Sequence, residues 1–239
     1  MMTGMFAALA QLAGERQAEL DGEIAAWRHG PGAAVRLWCG PGCGNCCSLA
    51  VNTTLAEALA VAASLADGQR GRLADTVARI TAHARQSQDA RAFLAGYRQA
   101  VGPCPFLAAD ANCSIYPVRP LACRALLATR PPDWCGVNLA ALPGYEREAF
   151  LASLDRGVVA WPSHYAAAPQ ELAAGFERGL TFAMLRFAGF GVTGNLPLLV
   201  WLAGQDGLAE ALTGGAAVCQ GFLNRLATVR PFLVQIEIP

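Results

Sequence analysis

Apolar residues recur at spacings of three and four along most of this chain, which is the pattern of helices with one buried face. The first helix is predicted over 6–28, where the Gly-Pro-Gly run at 30–32 ends it. Residues 54–57 match a capping box and predict a second helix that reaches as far as 67–68. Residues 72–100 predict one long helix or two short ones.

The second half of the chain also favours helices, and only its end resembles a strand. In the helix predicted over 171–187 an apolar stripe runs from Leu172 to Phe187. In the 72–100 region Phe93, Leu94 and Tyr97 form another apolar stripe. The run from Gly189 to Gly194 spells G-x-G-x-x-G, but it follows a helix-like stretch, so we interpret it as a helix-ending turn. The helices are predicted over 145–159, 171–187, 196–204, 208–213 and 218–228, and the strand over 232–238.

These elements predict a mainly α fold in which packed helices hold irregular, cysteine-rich metal-binding knuckles. We expect an N-terminal helix plus cysteine-cluster region over 1–137. A helical C-terminal region over 138–239 is expected to pack onto it as one globular unit.

Composition and charge narrow the classes of partner. The chain of 239 residues is 54% hydrophobic and 15% charged, with 18 basic and 18 acidic residues and no basic run. This disfavours nucleic acid as a partner, because phosphate binding needs clustered Lys and Arg. The apolar stretch 180–203 is interrupted by Arg186, Asn195 and Pro197, so we assign it to the core and expect no membrane partner. No signal peptide is recognisable, which predicts a cytoplasmic location.

Eight of the nine cysteines fall into two runs separated by about sixty residues without cysteine. In a reducing compartment such clusters bind zinc or an iron–sulfur cluster more often than they form disulfides. The odd total and the adjacent pair Cys46-Cys47 also argue against disulfides. The predicted metal ligands are Cys39, Cys43, Cys46 and Cys47 in the first run and Cys104, Cys113, Cys123 and Cys135 in the second.

The division of these ligands is left open by the sequence. Cys46 and Cys47 cannot easily both point at one mononuclear ion, which allows them to bind two different centres. The eight cysteines could form two four-thiolate sites. They could equally form one four-thiolate site, with the remaining thiols structural. Four thiolates around Zn²⁺ or a [4Fe–4S] cluster carry a total charge of about −2, which calls for nearby cations. Arg119 and Arg124 flank Cys123 and are predicted to support the cofactor, the alternative being surface salt bridges.

The two runs resemble a known family, the zinc- or iron-chelating cysteine-cluster (CxxCxxCC or YkgJ-type) domains. The likeness is carried by Cys39-x3-Cys-x2-Cys-Cys47, Cys104-Pro-Phe-Leu107 and Cys113-Ser-Ile-Tyr-x2-Arg-Pro-Leu-Ala-Cys-Arg124, and covers about residues 36–137. It departs by one residue between Cys39 and Cys43. The resemblance implies metal binding by the eight cysteines named above. It also implies a distant similarity to flagellin lysine methylases, and with it an iron–sulfur cluster, S-adenosylmethionine and a protein substrate.

We therefore expect a metal-binding protein that holds a [4Fe–4S]-type cluster and supports methyl transfer or redox chemistry. The alternatives are a structural or carrier zinc protein and a radical S-adenosylmethionine enzyme, although the repeated strand–helix units of the latter are not evident. A cysteine nucleophile would need a histidine beside it, and His29, His83 and His164 are distant from every cysteine along the chain. No catalytic residue and no oligomeric state is predicted, and Cys219 is interpreted as a buried thiol.

Overall fold

The computed structural model describes residues 2–226 and 230–238. Within these residues the chain forms eleven α-helices, three short 3-10 turns and one small sheet, which confirms the mainly α prediction. The helices are α1 (Met2–His29), α2 (Leu55–Ser64), α3 (Asp67–Gln86), α4 (Ala90–Ala100), α5 (Leu121–Ala125), α6 (Asp133–Gly136), α7 (Gly144–Ala152), α8 (Ala167–Ala188), α9 (Leu196–Ala203), α10 (Leu208–Thr213) and α11 (Ala216–Arg225). The strands are β1 (Asn52–Thr54), β2 (Gly191–Asn195) and β3 (Val234–Glu237).

Helix α1 confirms the first predicted helix. Its apolar face, which includes Leu9 and Leu20, is buried against α2 and α8. The helix ends where the Trp27 carbonyl accepts hydrogen bonds from the amides of Gly30 and Gly32. The Gly-Pro-Gly signal in the sequence therefore marks the real end of the helix.

The predicted capping box at the start of α2 is present. Thr54 Oγ1 accepts a hydrogen bond from the Glu57 amide at 3.3 Å, and the Glu57 carboxylate accepts one from the Thr54 amide at 2.9 Å. The helix ends at Ser64, before the predicted 67–68, because Leu65 already has an extended backbone. Every residue of α2 from Leu55 to Ala62 is buried, so this helix is a central element of the fold.

The region predicted over 72–100 consists of two helices, α3 and α4. Asp89 separates them and caps α4, since its carboxylate accepts a hydrogen bond from the Ala92 amide at 2.8 Å. His83 of α3 bridges the two helices, with Nε2 2.9 Å from the carbonyl oxygen of Phe93 in α4. The predicted stripe is correct for Phe93 but wrong for Leu94, whose side chain is 58% exposed.

The helices of the C-terminal region form where the spacing of apolar residues predicts them, but some end at residues other than those predicted. Helix α7 ends at Ala152, well before 159, because the turn at Asp155 begins soon afterwards and its carboxylate accepts a hydrogen bond from the Gly157 amide. Helix α8 buries Leu180 and Met184, whereas Phe187 is 57% exposed, so the predicted stripe is wrong at its last position. Helices α9 and α10 match their predicted ranges closely. The predicted end of α11, at 228, lies outside the described residues.

A three-stranded antiparallel sheet in the order β1-β2-β3 joins the segment before α2 to the segment after α8 and to the C-terminal strand. The predicted terminal strand is confirmed as β3, but β1 and β2 were missed because they are only three and five residues long. The G-x-G-x-x-G run ends α8 at Gly189, where φ is +81°, and then continues as β2 rather than as a turn. Gly194 is needed in β2, because a Cβ there would lie 2.3 Å from the Leu233 carbonyl oxygen.

One hydrophobic core is built from both halves of the chain. It includes Leu20 of α1, Leu59 of α2, Leu180 of α8 and Leu198 of α9. Helix α5, which carries Cys123, packs against α8, so the second half of the chain supports the cysteine-rich half directly. Among the described residues, no helix combines the length and apolar character that crossing a membrane requires.

Candidate metal centre

All eight cysteines of the two runs line one cavity of about 520 Å³. The remaining wall is mostly apolar, with Tyr97, Tyr116 and Tyr165 among its polar exceptions and Arg28 and Arg119 as its cations. Cys219 does not line the cavity. It is 1% exposed on α11, as expected for a buried thiol. The structure thus brings the two distant runs together, which the chain order alone does not require.

The first run forms two consecutive turns with the cysteines at their corners. The Cys43 amide donates to the Gly40 carbonyl at 3.3 Å, and Gly42 between them has φ of +76°, a conformation that favours glycine. A 3-10 turn, Asn45–Ser48, then carries the adjacent cysteines. The Gly42 amide also donates to Asn112 Oδ1 at 2.9 Å, which ties this run to the second one.

The second run approaches the first through its backbone. The Cys104 amide donates to the Cys47 carbonyl at 2.7 Å. Cys113 is held beside Cys104 because it pairs with Leu107 in an antiparallel bridge, three residues beyond Cys104. These contacts bring the backbone at Cys47, Cys104 and Cys113 together at the cavity wall.

Cys123 is positioned by the short helix α5 and by a buried carboxylate at its start. Pro120 is the residue immediately before α5, which ends at Ala125. The Leu121 amide at the start of α5 donates to Glu57 Oε1 at 2.7 Å. Because Glu57 is fully buried and belongs to α2, it holds the helix that presents Cys123 to the cavity.

A second carboxyl group lies at the same helix start. Glu177 of α8 accepts a hydrogen bond from the Ala122 amide, and burial together with the nearby Glu57 raises its pKa to about 7. Two acidic side chains from different helices therefore hold the first amides of α5.

Cys39 and Cys135 both lie next to Ala128. Cys39 is exposed, and its Sγ accepts a hydrogen bond from the Ala128 amide at 3.1 Å. Cys135 is 5% exposed and packs in a small apolar cluster with Ala128 and Tyr165. The His164 Nε2 lies 3.2 Å from the Cys135 Sγ, and the Tyr165 hydroxyl also hydrogen-bonds this thiol.

Burial and the neighbouring thiols hold several of the cysteines in the protonated form. Burial raises the pKa of Cys104 to about 12 and that of Cys123 well above its ordinary value. The pKa of Cys46 is also raised, mainly by a hydrogen bond with the Cys47 side chain and secondly by burial. The thiolate is the form that binds metal, so metal binding must displace these protons, and a bound cation supplies the charge that makes the displacement favourable.

The two predicted arginines differ in their surroundings. Arg119 lines the cavity and donates from Nη2 to the Cys123 carbonyl at 2.6 Å. Burial and neighbouring thiols raise the pKa of Cys39, Cys46 and Cys123, and the positive charge of Arg119 partly offsets that rise. The Nε of Arg119 is buried and, within the described part of the chain, has no hydrogen-bond partner. This donor fits a negatively charged metal–thiolate centre.

Arg124 is not part of the cavity wall. Its guanidinium forms a salt bridge with Asp21 of α1 and donates to the carbonyls of Arg119, Tyr116 and Pro117. Arg124 therefore braces the loop that carries Arg119, and the cofactor-supporting role predicted for it has no direct contact to rest on.

Sequence reasoning missed Glu57, His164 and Tyr165 as residues of the site. Glu57 was recognised only as part of a capping box, and nothing in the sequence indicates its contact with α5, 64 residues away. His164 lies in the loop before α8 and meets Cys135 across 29 residues. This is the cysteine–histidine geometry that a nucleophile needs, but burial raises the pKa of Cys135 and lowers the pKa of His164, which opposes the thiolate–imidazolium pair.

The donor set fits a soft metal centre, although the thiols surround the cavity rather than converge on one point. Among residues 2–226 and 230–238, no three His, Cys, Asp or Glu side chains are already arranged to hold a single ion. A tetrahedral zinc site needs four sulfurs about 2.3 Å from the metal, so its sulfurs lie about 3.8 Å apart. A multi-iron cluster separates its thiolates more widely, as does a pair of centres.

Comparison with known protein families finds a match over the cysteine-rich region. Residues 38–138 match the family model CxxCxxCC, described as "Putative zinc- or iron-chelating domain". The match covers both cysteine runs and confirms the resemblance drawn from their sequence. None of the curated proteins and none of the solved structures is significantly similar to this chain.

Proposed function

We propose that this protein binds an iron–sulfur cluster of the [4Fe–4S] type through its clustered thiols, and the match of residues 38–138 to the CxxCxxCC family model supports metal binding. The observation that carries this proposal is the cavity of about 520 Å³ that all eight cysteines line. A cluster of four irons and four sulfides fits such a space better than a single ion, because its ligand sulfurs are spread farther apart.

The electrostatics of the cavity support a negatively charged centre. Four thiolates and a [4Fe–4S]²⁺ cluster carry a total of about −2. Arg119 and Arg28 line the cavity together with thiols of both runs. Among the described residues, the buried Nε of Arg119 has no hydrogen-bond partner. The apolar side chains around the thiols, among them Phe106 and Ile115, limit the access of water and so strengthen these interactions.

The chemistry that such a cluster supplies when bound is one-electron transfer. We propose redox chemistry or S-adenosylmethionine-dependent methyl transfer to a protein substrate, and for methyl transfer the support is the likeness to flagellin lysine methylases alone. The apolar part of the wall, which includes Val51, Leu196 and Pro197, is where an organic cofactor would lie beside the thiols. A radical S-adenosylmethionine enzyme is disfavoured, since the strands of the described residues form one antiparallel sheet instead of repeated strand–helix units.

Anaerobic purification followed by metal and sulfide analysis tests the proposal. We expect a brown protein with about four irons and matching sulfide for each cluster, and broad absorption near about 400 nm. A colourless protein with stoichiometric zinc would overturn the cluster and support the structural or carrier zinc alternative. The variant Cys123→Ala should lose metal, whereas the matched control Cys219→Ala, which replaces a buried thiol outside the cavity, should keep it.

A further inference from the structure

Charge is distributed unevenly along this chain, although its 18 basic and 18 acidic residues balance. The stretches 24–56 and 111–132 supply most of the cavity wall, and they contain five arginines but no aspartate or glutamate. One of these arginines, Arg124, is neutralised by its salt bridge with Asp21. The others form no ion pair with any residue that the structure describes. They are Arg28, Arg36, Arg119 and Arg130.

These arginines lie around the opening of the cavity. We call this opening the cavity mouth and define it by the wall residues that are exposed, which are Arg28, Asn112, Tyr116 and residues 39–42. At its edge the Trp38 amide donates to the Ala128 carbonyl at 2.9 Å, and the Ala128 amide donates to Cys39 Sγ at 3.1 Å. Arg36 lies two residues before Trp38, and Arg130 lies two residues after Ala128. Both are therefore close to the cavity mouth.

Aromatic side chains accompany these cations. The Arg36 guanidinium lies 3.8 Å from the centroid of the Trp38 ring, and the Arg119 guanidinium lies 5.2 Å from that of Tyr116, which is 63% exposed. Arg, Trp and Tyr are the residue types that contribute most of the binding energy at protein–protein interfaces. Because a guanidinium binds a carboxylate through two parallel hydrogen bonds, arginines at an interface fit an acidic partner.

The aspartates at the ends of these stretches do not cancel the positive charge. Asp110 accepts hydrogen bonds from the backbone and side-chain amides of Asn112, within its own loop. Asp133 is the first residue of α6. A negatively charged metal centre would lie behind the cavity mouth, where Arg119 lines the wall. Arg28 and Arg36 are exposed, so they are free to contact a partner in solution.

We propose that the cavity mouth is the docking surface for a protein partner that presents a cluster of carboxylates. That this partner is the protein on which the metal centre acts rests on the proposed function, whereas the docking itself requires only the arginines. Nucleic acid is the other large class of anion, and its binding needs clustered cations that follow the phosphate backbone. The chain has no basic run of that kind, so an acidic protein fits the surface better.

Fluorescence anisotropy of a labelled polyglutamate peptide of about eight residues tests this proposal on the protein as isolated with its metal. Binding should weaken about tenfold as the salt concentration rises from about 50 to about 300 mM, because salt screens exposed charges. The triple variant Arg28→Gln/Arg36→Gln/Arg130→Gln should bind about tenfold more weakly than the wild-type protein. The control Arg72→Gln/Arg186→Gln/Arg225→Gln removes the same charge from exposed positions on α3, α8 and α11, and it should bind within about twofold of the wild-type protein.

The proposal is overturned if the wild-type protein does not bind the peptide, or if both triple variants lose affinity equally. Tighter binding of an oligothymidylate of the same length, lost in the first triple variant, would also overturn it, since the partner would then be nucleic acid. If that variant lacks the helical circular dichroism of the wild-type protein, Arg28→Gln alone, at the exposed end of α1, repeats the test and should weaken binding about threefold.

Metal and sulfide analysis of the same samples separates this proposal from the proposed function. Peptide binding at the cavity mouth of a protein that holds zinc would reject the iron–sulfur cluster and support the docking surface. An intact cluster in a protein that does not bind the peptide would reject the docking surface alone.

Discussion

The buried carboxylate of Glu57 should decide whether the metal-binding half of the protein keeps its shape. Its side chain is fully buried and accepts four hydrogen bonds. Oε1 accepts one from the Leu121 amide at 2.7 Å, and Oε2 accepts one from the Thr54 amide at 2.9 Å. The hydroxyls of Thr53 and Thr54 also donate to Oε2, at 2.9 and 2.8 Å. No other single residue described here joins α2 to the helix that carries Cys123 in this way.

The variant Glu57→Ala leaves the amides of Leu121 and Thr54 buried without an acceptor, whereas the two hydroxyls can rotate to other partners. An unsatisfied buried donor costs about 1–3 kcal/mol, so we expect a loss of about 4 kcal/mol in the free energy of unfolding. Glu57→Gln keeps one oxygen but turns an NH₂ group toward a donor, and should cost about 2 kcal/mol. Glu171→Ala on the exposed side of α8 is the control and should stay within about 0.5 kcal/mol.

Urea unfolding of the metal-free protein measures these differences, and metal analysis of the same variants measures the effect on the site. We expect the loss of stability to be largest in Glu57→Ala, smaller in Glu57→Gln and smallest in the Glu171→Ala control. Metal occupancy should fall in the same order, because α5 loses its anchor. If Glu57→Ala unfolds within 1 kcal/mol of the Glu171→Ala control, the buried hydrogen bonds do not support the helix and the reasoning is refuted.

Two further predictions concern charge. Arg119→Gln removes a cation that acts on thiols of both runs, so its metal affinity should fall at least tenfold. Arg119→Lys keeps the charge and should lose less affinity. Competition with a metal chelator measures these affinities, and an affinity of Arg119→Gln equal to that of the wild-type protein would contradict the prediction. The stability of the metal-free protein should fall as pH rises above about 9. The pKa of Cys104 is raised from 9.0 to about 12 by folding, so between these values the unfolded chain releases a proton that the folded one retains. For this thiol the free energy of unfolding should fall by about 1.4 kcal/mol per pH unit. Urea unfolding at pH 8 and 10 measures this change, which should be smaller in Cys104→Ser than in the wild-type protein.

Much of the helical structure was predictable because it depends on contacts between near neighbours. The capping box of Thr54 and Glu57 spans three residues, and it is present as predicted. The period of apolar residues located α1, α8 and α9 for the same reason. The two exposed members of predicted stripes, Leu94 and Phe187, show where the period continues although no neighbouring element covers the side chain.

The short strands and the contacts around the cysteines could not be predicted in this way. Strand β1 has three residues and β2 has five, too few for an alternating pattern, and they pair across 141 positions from Thr53 to Gly194. His164 meets Cys135 because of how the loop before α8 lies over α6, and no local signal marks that contact. Arg119 and Arg124 are both close to Cys123 along the chain, yet only Arg119 lines the cavity.

The amino-acid sequence by itself determined the mainly helical fold, the two cysteine runs and their soft-metal chemistry, because helix period and ligand type are properties of single residues and near neighbours. The tertiary structure decided which thiols lie together. The backbone contact between Cys47 and Cys104 and the link from Cys39 to the cluster of Cys135 bring the two runs together around one cavity. This arrangement depends on the packing of distant segments, whose free energy is shared among many contacts and is not encoded in any one stretch of the chain.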